Sequence, residues 1–152
     1  MEEQDYEYAG FWIRVGASLI DLALLLMITL PLTLMIYGSD MVWNSDDIIL
    51  GPADFLINYS LPFFATIILW MYKSATPGKM ILHLKVLDDV TGNKLTIGQS
   101  IGRYFAYIPA MLILFIGIFW VAWDKKKQGW HDKLAKTVVV RSKKQVEDVK
   151  FI

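Results

Sequence analysis

The sequence predicts an α-helical polytopic membrane protein: two full transmembrane helices, a broken or re-entrant third hydrophobic segment, and a small cytoplasmic β-hairpin-like appendage. Three observations carry this prediction. Of the 152 residues, 55% are hydrophobic and mean hydropathy is +0.42, which suits a chain solvated largely by lipid. The apolar residues gather in three stretches, about residues 12–37, 55–72 and 104–123, near the ~20 residues that cross a ~30 Å hydrocarbon core. The formal net charge is zero, yet the charges are segregated, with the lead-in and first connection acidic and the second connection and tail basic. The length fits one domain over residues 1–152.

The N-terminal MEEQDYEYAG is acidic and lacks the basic n-region of a cleavable signal peptide. Tyr6, Tyr8, Phe11 and Trp12 read as one interfacial aromatic belt. The first span follows. Between Ile13 and Ile36 its only ionisable residues are Arg14 and Asp21. Counted from Trp12, Asp21 lies ~13 Å deeper at ~1.5 Å per residue, close to the bilayer midplane. A charged Asp there costs about 2.5 to 3.5 kcal/mol to insert, so Asp21 is expected to face protein or trapped water. Gly10, Arg14, Ala17 and Asp21 share one helical face by their four–three–four spacing. Small residues beside charges mark the side that packs against another backbone. Pro31 is the expected kink.

Residues 38–54 carry four aspartates and no Lys or Arg, which suits the outer side. In the second span, Asn58 and Thr66 approximate one face and are the expected partners of Asp21. Residues 73–103 change character. Ser74 to Lys79 reads as a turn, and Met80 to Leu87 as a strand with Leu82, Leu84 and Val86 on one face. Asp88 to Asn93 turns the chain and Lys94-Leu95-Thr96 starts back. Thr96 is the expected N-cap of a helix from Ile97. Five basic residues against two aspartates place this loop inside.

Tyr104 to Trp123 is long enough to cross once, which would put the C-terminus outside. Residues 124–152 nevertheless carry nine basic residues against four acidic ones, the strongest inside signal in the chain. The β-branched run Thr137–Arg141 also needs to lie on the same side as the Leu82–Leu87 strand if the two are to pair. Pro109 and Gly117 offer break points. Both termini are therefore expected inside, with Ser142 to Ile152 a solvated, partly ordered tail and Lys125 to Lys127 an anchor against anionic headgroups.

The chain has no cysteine and two histidines, His83 and His131. That argues against thiolate chemistry and against a convergent metal site at His131-Asp132. With no nucleophile constellation and no phosphate-cradling glycine loop, neither an enzyme nor a cofactor is expected. A nucleic-acid partner is not expected either, since no separate soluble domain exists to carry one. Asp132 is read as a helix cap or as the partner of Arg14, and Arg103 as a second edge charge able to reach Asp21.

Arg14 with Asp21, Thr76-Pro77-Gly78-Lys79, Arg103-Tyr104 and the run Gly129 to Val140 together resemble the RDD family of small, mainly bacterial membrane proteins. The family is named for one arginine and two aspartates, matched here by Arg14, Asp21 and Asp132. Trp130 departs from the smaller aliphatic residue usual there. The resemblance implies a plasma (inner) membrane location, multi-pass, and a suggested role in cation/proton exchange.

Two functional expectations follow. In the first, Asp21 exchanges a small cation for protons, with Asn58, Thr66 and Tyr107 lining the site and Arg14, Arg103 and Asp132 completing a charge network. Few short segments enclose a pathway poorly, so a homo-oligomer in the bilayer is expected. In the second, the charges are structural and the cytoplasmic patch makes the protein a membrane adaptor or assembly factor.

Overall fold

A computed structural model describes residues 6–112 and 116–142. Of the predicted tail, Ser142 ends a strand and the rest lies outside the described residues, as do the acidic residues Glu2, Glu3 and Asp5. Helix α1 runs Phe11–Asn44. Pro31 sits inside it without ending it, and the non-helical residue is Gly38, with φ 77° and ψ 162°. The break falls at Gly38 because its backbone enters a region that L side chains rarely adopt; Pro31 loses only one N–H. After α2 (Pro52–Phe55) a π-helical turn, Leu56–Ser60, leads into α3 (Leu61–Lys73). The stretches Phe11–Asn44 and Pro52–Ile81 are long and apolar enough to cross a membrane, and only 11% of each apolar window is buried within the chain. Leu19, Met27, Met35, Phe64 and Ile68 are all more than half exposed. So large a continuous apolar surface requires lipid or another protein against it.

The segment read as a turn forms helix α4 (Pro77–Ile81). Thr76 precedes it and Pro77 opens it, an ordinary helix start. Strand β2 is therefore shorter than the Met80–Leu87 run and covers Leu84–Asp88. Helix α5 spans Ile97–Leu112, and Thr96 Oγ1 accepts the Gln99 N–H at 3.2 Å, as expected of its N-cap. Asp88 ties β2 to α5: it accepts N–H groups from Thr91 and Val90 and the Gln99 amide. These donors, led by the Thr91 N–H, hold its carboxyl at about 2.

Helix α6 (Ile116–Phe119) continues as a 3₁₀ turn over Trp120–Ala122. A Cβ added at Gly117 would lie 2.9 Å from the Cα of Ala110. Residues seven apart in one straight helix are separated by roughly 10 Å, so the third apolar segment folds back on itself. Helix α7 (Trp130–Leu134) and strand β3 (Thr137–Ser142) follow.

The β-structure is a three-stranded antiparallel sheet rather than a hairpin, in the order β1–β3–β2. Tyr6–Tyr8, read as a membrane belt, forms β1 and pairs with β3 through Tyr8 and Val140. The expected pairing of the Leu82–Leu87 strand with the β-branched run holds, with Val86 opposite Val139. Lys94 to Thr96 does not return as a strand; on the edge of β2 away from β3 the Val86 N–H goes to the Ser74 carbonyl at 2.6 Å. Alternation sorts the sheet: Leu84, Val86 and Val139 pack with Ala9, Ala17 and Trp70 against the helices, whereas Leu87, Val138 and Val140 pack with Tyr6 on the far side.

Candidate functional site

Arg14, one turn into α1, is buried. Its Nε donates to the Ala9 carbonyl at 3.0 Å, one terminal nitrogen to Asp132 at 2.5 Å and the other to the Lys127 carbonyl at 2.5 Å. One donor thus holds the chain just before α1, and the other two fasten the start of α1 to α7 and to the segment preceding it. The Arg14 fork is used inward. From the other side Arg103 on α5 donates to the second Asp132 oxygen and to Thr137 Oγ1. Its guanidinium lies 5.3 Å from the Trp70 ring centroid and 5.8 Å from that of Tyr107.

Asp132 is fully enclosed. It is the third residue of α7 and accepts the Gly129 N–H at 2.9 Å, so it caps α7 while bridging two arginines. Burial alone would raise its pKa; the Arg103 and Arg14 charges overcome this and hold the carboxyl well below the usual range. The neighbouring His131 behaves in the opposite manner. Burial, with Arg103, Arg14 and Lys79 nearby and only Asp132 opposing, pushes it down to about 3, so the ring is neutral near pH 7. It stacks on Tyr107 with centroids 4.0 Å apart.

Asp21 occupies a separate station. One oxygen accepts the Thr76 hydroxyl at 2.5 Å and the other the Gly78 N–H at 2.7 Å. A carboxylate from α1 therefore caps α4, the favourable end for negative charge. The docking is tight: a Cβ at Gly78 would come within 2.0 Å of the Ala17 carbonyl oxygen. The small-residue face read from the first span is thus the packed face. Lys79, buried beside it, donates to Thr76 Oγ1 at 3.4 Å, giving a chain Lys79–Thr76–Asp21.

Asp21 also lines a cleft of about 550 Å³ between α1, α3 and α5, with Thr66 and Tyr107. Asn58 does not reach it. Its amide donates instead to Asp54 at 2.6 Å and to Thr33 at 2.9 Å, near the opposite end of the apolar helices. Asn58 stands one helical turn after Asp54, and that local pair outcompetes a distant one. Arg103 does not meet Asp21 either, because Asp132 and Thr137 engage it. The expected single charge network is two stations: Arg14–Asp132–Arg103, and Asp21 with α4.

The RDD family model matches residues 8–136. The chain belongs to the RDD family. It is 33% identical to the uncharacterized protein YxaI of Bacillus subtilis over 87% of this chain and 96% of that one. The uncharacterized protein RP437 of Rickettsia prowazekii is 31% identical over 89% and 96%. The uncharacterized membrane protein YteJ of Bacillus subtilis is 34% identical over 91% and 84%. No solved structure matches the chain. The protein is accordingly a membrane-associated RDD protein, with two helices able to span.

Sequence reasoning passed over Lys79, Thr76 and Gly78 as functional positions. The signal was present: Thr-Pro-Gly-Lys is a helix start, and a free helix start needs an acceptor such as Asp21. Burial of Asp54 beneath Asn58 and Leu50 was equally hidden, since an aspartate in an acidic connection reads as solvated.

Proposed function

We propose that this RDD protein exchanges a small cation for protons across the plasma membrane, with Asp21 as the exchanging carboxylate. The observation that carries the reading is that, among the described residues, Asp21 is the only acidic or basic residue lining the 550 Å³ cleft between the apolar helices. A carboxylate offers about four lone-pair sites, and Thr76 and Gly78 use two of them. Deprotonated, Asp21 has oxygen left for a cation, with the Thr66 and Tyr107 hydroxyls as neutral donors on the same cleft. Proton uptake at Asp21 removes the charge and releases the cation.

The three-stranded sheet supports an arrangement with the N-terminus, residues 73–103 and the C-terminus on the cytoplasmic side and residues 38–54 outside. Strands that share hydrogen bonds lie on one side of a membrane, and the fold-back at Gly117 lets the third segment return. The cleft opens between exposed apolar faces, which supports closure of the pathway by further copies of the chain.

Cation-gradient-driven proton flux in liposomes tests the reading. Wild type is expected to carry flux with sodium, potassium or lithium, and Asp21→Asn, which keeps the shape and one acceptor, to assemble but carry none. Equal flux in both defeats it. The capping of α4 by Asp21 favours one rival, an adaptor whose charges are structural. That rival predicts no wild-type flux and poorer assembly of Asp21→Asn.

A further inference from the structure

A second cavity, of about 270 Å³, lies between α1, α4, α5 and α6, on the other side of the Lys79–Thr76–Asp21 chain. Its walls are mostly apolar, with Val15, Leu19 and Ile118 among them, yet Arg14, Lys79 and Arg103 all border it and, among the described residues, no carboxylate does. Asp132 stands behind two of these cations and shares its oxygens between them. Among the described residues, Asp132 is thus the only carboxylate that meets these cations directly, with Asp21 reaching Lys79 only through the Thr76 hydroxyl.

Lys79 is the least satisfied of the three. It is 6% exposed, and among the described residues its ammonium makes one long hydrogen bond, 3.4 Å to Thr76, whereas an ammonium has three donors. Arg103 Nε is likewise buried without a partner. A buried cation with unused donors is costly unless an anion meets it.

We propose that this cavity binds the anionic headgroup of a membrane phospholipid, the phosphate meeting Lys79 and the arginines and an acyl chain leaving along Val15, Leu19 and Ile118. The volume suits a phosphate and the first methylenes, not a whole lipid, and Leu19 opens onto the exposed apolar side of α1, being 61% exposed. The depth agrees as well. Trp12, two residues before Arg14, is 80% exposed and Trp123 is 78% exposed, placing an interfacial aromatic girdle at this level. The apolar walls favour an amphiphile over free phosphate. Asp21 borders the other cleft, and Leu22 and Tyr107 line both.

Native mass spectrometry of the full chain in neutral detergent, titrated with phosphatidylglycerol or phosphatidylcholine of matched chains, tests this. Wild type is expected to hold one phosphatidylglycerol about tenfold more tightly than phosphatidylcholine, and Lys79→Gln to lose about that factor while Lys79→Arg keeps most of it. Leu19→Trp, which narrows the apolar exit without removing a charge, should weaken binding even if Lys79→Gln fails to fold. Equal affinity for the two lipids, or binding unchanged in both Lys79→Gln and Leu19→Trp, overturns the proposal. Displacement of the lipid by millimolar inorganic phosphate overturns it too, assigning the cavity to a free anion.

Discussion

Mild acid should destabilise this protein through His131, and the size of the effect can be worked out. His131 lies in α7, beyond the spanning helices, and is 4% exposed. Burial, reinforced by Arg103, Arg14 and Lys79 and opposed by Asp132, lowers its pKa from 6.5 to about 3. The folded state therefore holds a neutral imidazole where the unfolded chain takes up a proton. The contribution is fully present above the unfolded value of 6.5 and declines as pH falls toward about 3, where it is exhausted. The slope inside that window is about 1.4 kcal/mol per pH unit. Acidification from about pH 6.5 to 5 should thus remove about 2 kcal/mol, before carboxylates titrate appreciably. Equilibrium unfolding of the detergent-solubilised protein across that range is the assay. His131→Phe keeps an aromatic face against Tyr107 but cannot protonate, and its stability should be nearly flat over the same interval. Parallel pH curves for the two proteins would refute the assignment.

Two further predictions rest on the packing around the family's charged residues. Asp132→Asn leaves two buried guanidinium groups facing a neutral amide, and should cost about 3 to 5 kcal/mol; thermal unfolding in detergent reads this, and a loss under 1 kcal/mol would mean the arginines are solvated. Gly78→Ala drives a methyl toward the Ala17 carbonyl, 2.0 Å from the ideal Cβ position, so α4 must lift off α1. About 1 to 3 kcal/mol should be lost, together with the Asp21 cap, whereas Gly102→Ala, with open space around it, should be neutral or slightly stabilising; protection of the Gly78 amide from hydrogen exchange distinguishes the two.

Much of this fold was legible because the relevant signals are local. The spacing of Gly10, Arg14, Ala17 and Asp21 marked the packed face of α1, and Ala17 is buried there. Thr96 and Gln99, three residues apart, spelled a helix start. The alternation through Leu84 and Val86 marked one strand and the β-branched run at 137–141 another, and they pair. The excess of basic residues after Trp123 conflicted with a single third crossing, and the segment folds back.

What the sequence alone determined, then, was periodicity, hydrophobic length and the residues with no comfortable place in lipid. The tertiary structure decided their partners. Arg14 and Asp132 are 118 residues apart and Asp21 and Gly78 are 57 apart, and no repeat in the chain encodes such a distance. Asp21 took the start of α4 rather than Asn58 or Arg103 because Gly78 lets the two backbones touch, while nearer acceptors had already claimed the other two side chains. Burial of Lys79 and His131 follows from the same docking. A charge's environment is fixed by the elements that close over it, and those elements come from distant parts of the chain.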